Sequence, residues 1–507
     1  MHPHAPSSLR VSEAELRAGA PPDSGLAYGS QLHRRAVAEP DGVGLVTVGA
    51  DGSERALTWD QLDRRANQWG RALGEGGAVS GSLVAMAIPN SQDLVLSILG
   101  CWKIGAVPVP MRWDIPDWER RRLLDVIQAA VVIEDRNRVA LATRAAGLPD
   151  EPLPQVVSPA VNGICSSGST GFPKVILNIQ PALWTPEHSE PFIAHWATVS
   201  RPQTILVPGP MYHTNGFSPL LYLLGGDRLI VLEKFSAQAV LGAIERHRVT
   251  NFTATPTMLK RIAAVPDLDQ RDLSSVEWIL QGAAVMPPAL LLKWFELLGA
   301  RRVVMAYGMT ENLGLTALRG DEWLEHPGSV GRGFRDTEIR ILDDDGEPVP
   351  TGELGQIYLR APMSAAYRYV GGAPPVSSTR DGFHTAGDIG RLDAEGYLYI
   401  ADRRTDVIIT GGANVYPAEV ESALAEYDGI ADVVVVGLSD PEWGRRVHAV
   451  VQPVDPSDPP TEQQVIRYAK SRLAAYKVPK TVEFVDEIPR TAATKVNRSE
   501  MIKARGG

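Results

Sequence analysis

The sequence predicts an α/β protein. A large N-terminal domain of two doubly wound sheets with a small β-barrel-like subdomain is expected, then a small α+β C-terminal domain. Three observations carry this. Helices and short apolar strands alternate over residues 58–109 and again over 204–306, the βαβ pattern of parallel sheets with covered faces. From about Gly331 to Ile400 glycine-rich turns separate short strands, as in antiparallel hairpins and small barrels. After Arg403 the pattern restarts, so residues 26–403 and 404–507 read as two domains. A chain of 507 residues is long enough for each to bury a core of its own.

Residues 1–25 are rich in Ala, Pro and Ser and are expected to be poorly ordered. Thr58-Trp59-Asp60-Gln61 reads as a capping box that opens a helix with Leu62, Ala66, Trp69 and Leu73 on one face. Leu83 to Ile88 is a short apolar strand. Asn90 then caps a helix through Leu94, Ile98 and Trp102, and Gly105 ends it before the strand Ala106 to Val109. In the second series Thr204 to Val207, Asn251 to Ala254 and Val303 to Ala306 read as strands, with helices at Gln238 to His247 and Pro287 to Leu298. Ligands of open α/β sheets sit at the carboxyl ends of strands, and here those ends run into polar and glycine residues. The hairpin region offers Glu338 to Leu342, Gly355 to Leu359, Gly390 to Leu392 and Tyr397 to Ile400. The C-terminal strands are Val407 to Ile409, Val433 to Val436 and Val447 to Val451, with a helix from Pro417 to Tyr427.

Composition narrows the class. The chain is 44% hydrophobic and 22% charged, which is ordinary for a globular protein. A net charge of −10 opposes a nucleic-acid or anionic-membrane binder. No apolar run approaches the roughly 20 residues of a spanning helix, and Met1-His2-Pro3-His4-Ala5-Pro6 lacks a signal pattern, so a cytoplasmic protein is expected. Cys101 and Cys165 are the only cysteines, which excludes a disulfide framework and a thiolate metal cage. Cys165 invites a nucleophile reading, but a small buried residue at a strand end is the better one. From Arg467 to Arg505, ten basic residues stand against Glu483, Asp486, Glu487 and Glu500. That bias suits a phosphate partner or a solvated helix face.

The densest chemistry lies in Ser166-Ser167-Gly168-Ser169-Thr170-Gly171-Phe172-Pro173-Lys174. Four hydroxyls, backbone N–H groups freed by glycine, and one ammonium can surround a polyphosphate. Pro210-Met211-Tyr212-His213-Thr214-Asn215-Gly216 follows a strand; His213 there either guards a carboxylate pocket or is structural. Gln281-Gly282-Ala283-Ala284 is small enough for a flat base to lie on its backbone, or is a tight turn. Tyr307-Gly308-Met309-Thr310-Glu311 offers an aromatic face, a hydroxyl for phosphate and a carboxylate for Mg²⁺. One carboxylate suffices when phosphate oxygens complete the shell. Asp388 ends a run suited to a ribose diol. Asp402-Arg403-Arg404-Thr405-Asp406 and Gly411-Gly412-Ala413-Asn414 fall at the domain junction, and Lys495 lies near the end.

In this order, these motifs resemble the signature set of the adenylate-forming superfamily: acyl- and aryl-CoA ligases, adenylation domains of peptide assembly lines, and beetle luciferases. The resemblance spans about Gly29 to Arg505. It implies ATP, Mg²⁺ and, in the commonest branch, coenzyme A. It implies that Ser166, Ser167, Gly168, Ser169, Thr170, Gly171 and Lys174 hold the β- and γ-phosphates. Thr310 would contact phosphate and Glu311 the metal. Gly282, Ala283, Ala284 and Tyr307 would frame adenine, and Asp388 and Arg403 would grip the ribose. Lys495 would bridge the carboxylate and the α-phosphate, and the C-terminal domain would be mobile, rotating about a hinge between two half-reactions. Gly411 and Gly412 would then flank an acceptor tunnel, with Trp443 either near coenzyme A or in a core. The chain departs from the family at Thr405, where the hinge is usually Asp or Lys, at Thr494, usually glycine, and at Val175, usually glycine or alanine. The first departure bears on how fully the domains alternate.

The family's acid pocket maps to His213, Asn215, Phe217, Ala283, Ala306, Gly308, Met309 and Leu313, mostly small or apolar. Thr214 to Leu221 contains no acidic residue to hold a substrate ammonium, so a neutral hydrophobic acid is expected. The acceptor is the thiol of coenzyme A, an amino-acid amine as in coronafacate-type ligases, or a carrier-protein thiol. A nucleotide-binding protein without chemistry is the competing class, opposed by Lys495, Glu311 and Asp388. No nucleic-acid or membrane partner is expected, and a homodimer is left open.

Overall fold

The computed structural model describes residues 25–167, 173–362, 364, 366–371, 375–403, 406–410, 413–490 and 496–506. The expected poorly ordered leader, residues 1–24 of it, lies outside the described residues, as do Gly168, Ser169, Thr170, Gly171, Thr405, Gly411, Gly412 and Lys495.

Nine strands form the largest sheet, in the order Arg332–Phe334, Leu315–Arg319, Val303–Gly308, Trp278–Gln281, Asn251–Ala254, Thr204–Val207, Arg228–Leu232, Val43–Val48, Glu54–Thr58. The six from Val303–Gly308 to Val43–Val48 are mutually parallel, and both edges are finished by antiparallel strands. A smaller parallel sheet has Leu83–Ala87 between Val107–Pro110 and Val131–Glu134.

Strand side chains alternate between faces, so a fully apolar strand feeds two cores. Leu45, Ile205, Val207, Leu229 and Val231 share one core with Val84 and Met86 of the small sheet. The helices Tyr28–Ala38, Trp59–Glu75, Gln92–Ile104 and Pro219–Gly225 fill the space between the sheets. Val46, Val48, Leu206, Ile230 and Leu232 face the other way, onto helices Ala237–His247, Pro256–Ala263 and Pro288–Leu298. Leu83, Ala85 and Ala87 pack outward against helix Asp117–Ile127 and Val175 and Leu177. Both parallel sheets are therefore covered on both faces.

Helix Trp59–Glu75 begins with the expected capping box: the Thr58 side chain accepts from Gln61 N–H, and Gln61 accepts from Thr58 N–H. Leu62, Ala66, Trp69 and Leu73 are all buried. Gly105 ends Gln92–Ile104 with φ of 73°, where a side chain would be strained. The expected cap at Asn90 is corrected: Ser91 caps this helix, accepting from Leu94 N–H at 3.2 Å. Asn90 instead donates to the carbonyls of Gly209 (2.9 Å) and Leu232 (3.0 Å) and accepts from Met211 N–H (2.9 Å). It ties the start of this helix to two strand ends of the large sheet.

The glycine-rich region folds as a six-stranded antiparallel sheet around Ile341, Ile357, Leu359 and Leu398. A three-stranded sheet joins Asn162–Ser167, Pro173–Asn178 and Tyr367–Val370. From Ile408 onward a separate five-stranded sheet is built on the long hairpin Ile430–Asp440 and Gly444–Pro453. Helices Pro417–Leu424 and Glu462–Arg472 cover one face, and Arg498–Ala504 the other. Among the described residues no helix is long and apolar enough to cross a membrane.

Candidate active site

Because the strands Thr204–Val207, Asn251–Ala254, Trp278–Gln281 and Val303–Gly308 are parallel neighbours, their carboxyl ends open on one edge of the sheet. The loops leaving three of those ends are Pro210–Gly216, Gly282–Ala284 and Met309–Glu311. Asn90 holds the first of them through Gly209 and Met211. His213 occupies the N-cap position of the short helix Thr214–Phe217 without a side-chain capping bond, its ring 4.6 Å from that of Tyr212. Thr214 and Thr310 bring their hydroxyls to 3.4 Å.

Gln281 closes the second loop by donating to the carbonyl of Ala284 at 2.6 Å. Ala283 sits at φ of 74°, a region that disfavours a side chain. The open side of Gly282 faces the Ala306 carbonyl and the Asn215 amide, which a methyl group there would meet at 3.6 and 3.9 Å. Three expected residues thus share one shallow patch. Tyr307 donates its hydroxyl to Asp388 Oδ2 at 2.6 Å. Asp388 is buried at the head of the strand Asp388–Leu392, in register with Arg403.

Lys174 and Glu311 are 137 residues apart in sequence and meet at 3.3 Å. Tyr369, which the motifs did not single out, donates to the same Glu311 Oε1 at 2.7 Å and lies under the Lys174 ammonium, 4.0 Å from ring centre. The alternation of Tyr367 and Tyr369 is compatible with a strand but carries no sign of the partner that brings Tyr369 here. Glu311 Oε2 has no partner among the described residues. A half-buried carboxylate with one open oxygen suits a hard cation that arrives with phosphate oxygens. Among the described residues no group of three or more His, Cys, Asp or Glu side chains forms a self-sufficient metal site.

Other expected residues stand elsewhere. Leu313 has no exposed surface and belongs to the core of the six-stranded antiparallel sheet with Ile341 and Leu359. Phe217 is 3% exposed and packs edge-on against Trp102 at 5.9 Å. Both were expected on the acid-pocket wall; in this structure each packs into a hydrophobic core. Met309 is half-buried against the core of the six-stranded sheet, while Gly308 is exposed. Trp443 is 40% exposed at the tip of the C-terminal hairpin, with Lys480 5.1 Å from its ring centre, so the core reading is corrected. Burial pushes the Cys165 thiol up to about 12, so little thiolate exists at neutral pH. The side chains of Ser166, Ser167 and Arg403 lie outside the described residues. Asp402 Oδ2 accepts from Ala418 N–H at 2.9 Å, linking the end of strand Leu398–Arg403 to the helix Pro417–Leu424 of the C-terminal domain.

Comparison with known proteins agrees with this architecture. The AMP-binding enzyme family model matches residues 32–369, and that of the AMP-binding enzyme C-terminal domain matches 419–495. A feruloyl-CoA synthase from Amycolatopsis is 33% identical over 473 residues, 89% of this chain and 94% of that one. The o-succinylbenzoate coenzyme A synthetase of Bacillus subtilis, solved with ATP and a magnesium ion, superposes with a TM-score of 0.79 at 26% identity over 93% of this chain and 99% of that one. The amide bond synthetase McbA from Marinactinospora thermotolerans gives 0.76 at 27% identity over 94% and 99%. The chain belongs to the AMP-binding enzymes, the adenylate-forming superfamily of ligases that activate carboxylic acids.

Proposed function

We propose that this enzyme uses ATP and Mg²⁺ to convert a neutral, hydrophobic carboxylic acid to its acyl-adenylate, then passes the acyl group to the thiol of coenzyme A. The observation that carries this is the meeting of Lys174 with Glu311, and of Thr214 with Thr310, at the strand-end edge from which the Gly282–Ala284 loop also leaves. The loop Ser166–Lys174 surrounds the β- and γ-phosphates. Adenine lies on Gly282, Ala283 and Ala284 against Tyr307, and Asp388 with Arg403 takes the ribose. His213, Asn215, Ala306, Gly308 and Met309 border the acid. Glu311 holds the metal, and Thr310 contacts phosphate. Bound magnesium would supply charge neutralisation at the leaving pyrophosphate.

In the first step a carboxylate oxygen bonds to the α-phosphorus, in line with the bond to the β-phosphate bridge, which breaks and releases pyrophosphate. Charge spreads over the transferred group, so positioning and fixed cations supply most of the acceleration. Lys495 bridges the carboxylate and α-phosphate. In the second step sulfur bonds to the acyl carbon, the mixed-anhydride C–O bond breaks, and AMP leaves. For that step the domain from residue 404 rotates about Thr405, bringing Gly411, Gly412 and Trp443 to the acceptor.

The test is pyrophosphate exchange with a panel of acids, followed by mass spectrometry with CoA and mixed amino acids present. Aryl, cyclic or medium-chain acids are expected to drive exchange and to appear as CoA thioesters; preference for free amino acids would defeat the reading. An amide-forming second step is the alternative, favoured by the likeness to an amide bond synthetase. It predicts acid–amino-acid amides in the same run.

A further inference from the structure

We infer that Tyr369 is a positioning residue: its hydroxyl fixes Glu311 at the metal end of the site while its ring face carries the Lys174 ammonium. The inference rests on the reading of Glu311 as the metal-holding carboxylate.

The geometry follows from strand register. Tyr369 pairs directly with Ile176 on the neighbouring antiparallel strand, so Lys174, two residues before Ile176, is its diagonal neighbour on the same face. The ammonium rests 4.0 Å from the ring centre, and the phenol oxygen lies 2.7 Å from Glu311 Oε1. Lys174 approaches that same oxygen at 3.3 Å, while Oε2 has no partner among the described residues. The three groups thus form a balanced set in which one carboxylate oxygen takes both donors and the other is left for a cation. Tyr367 packs edge-on to the Tyr369 ring at 5.2 Å and accepts from Val376 N–H at 3.0 Å, which holds the ring in place.

Two roles then separate. When a polyphosphate arrives, Lys174 exchanges its carboxylate partner for a phosphate oxygen. Glu311, held by Tyr369, does not follow it and keeps Oε2 toward the cation. A hydrogen bond to a metal-binding carboxylate orients the ligand, and its loss typically costs 10- to 100-fold in metal affinity or activity.

The experiment compares ATP affinity with saturating Mg²⁺ and with EDTA, by calorimetry on the nucleotide-free full chain. The readout is the ratio of the two affinities. Tyr369→Phe keeps the ring and loses the hydroxyl, and is expected to lower that ratio about tenfold. Tyr369→Leu is expected to lower it as much and to weaken metal-free ATP binding several-fold as well, because Lys174 loses its platform. Thermal melting without nucleotide checks that each variant folds. A Tyr369→Phe ratio equal to wild type, even with both affinities reduced, overturns the inference, since a purely structural role would act on both alike. Glu311→Gln separates the two levels. If it abolishes the Mg²⁺ gain while Tyr369→Phe does not change it, the positioning role alone falls. If Glu311→Gln retains the gain, the reading of Glu311 falls and this inference with it.

Discussion

Asp227 follows the Pro219–Gly225 helix, its side chain wholly buried; it accepts from Gln203 N–H at 2.8 Å and faces Arg201 at 2.9 Å. Burial raises its carboxyl from 3.8 to about 6, against the smaller opposing pull of those partners. The folded state therefore binds a proton between about pH 4 and 6 where the unfolded chain has released it. By linkage this site's contribution grows as pH falls through 6 and is lost as pH rises through it. Urea unfolding of wild type and Asp227→Asn should show wild type gaining relative to the variant, by about 2 kcal/mol, as pH drops from 7.5 to 4. A pH-independent difference would refute the assignment. Single residues were also where sequence reading was least complete. Glu311 and Lys174 were legible because each sits in a dense polar motif. Tyr369 was not, because its role exists only through pairing with a strand nearly 200 residues earlier.

At the scale of elements, local signals sufficed wherever an apolar run was bounded by polar residues. Thr204–Val207, Asn251–Ala254 and Glu338–Leu342 have the expected limits. Arg228–Leu232 and Trp278–Gln281 passed unread because short, fully buried strands lack alternation and cannot be told from helix segments by pattern alone. The hairpin Val43–Val48 and Glu54–Thr58 was missed for another reason: it joins the large sheet beside Arg228–Leu232, a partner no local pattern reveals. Asn90 looked like a helix cap because Asn is a good one, yet Ser91 took the role and freed Asn90 to tie sheet to helix. Asn90→Ala should cost about 3 kcal/mol, since two buried carbonyls and one N–H lose their partner. It should also raise KM for the acid, because the His213 loop loses its anchor. A denaturation midpoint together with steady-state kinetics checks both. Thr58→Ala, which removes a capping box far from the strand-end edge, should cost about 1 kcal/mol and leave kinetics unchanged.

For the whole molecule, one sheet edge gathers loops that the sequence scatters over about 100 residues, from Pro210 to Glu311, and the C-terminal sheet is tethered beside it. Asp402 reaches Ala418 across the junction, and Lys260 donates to the carbonyl of Ala431. The order of motifs made the two-part plan readable. The relative placement of the parts was not, because it depends on such long-range contacts. If Lys495 acts only in the first half-reaction, Lys495→Ala should slow adenylation about 10²–10³-fold and barely change the reaction of supplied acyl-adenylate with its acceptor. Equal losses in both steps would speak against a lysine that withdraws with a rotating domain.

The most direct test of the central claim is acid-dependent exchange of labelled pyrophosphate into ATP, measured for wild type and Glu311→Gln. Exchange that requires a hydrophobic acid, and that falls at least about 100-fold in the variant, is the predicted result. Exchange driven best by free amino acids, or undiminished without the Glu311 charge, would contradict it.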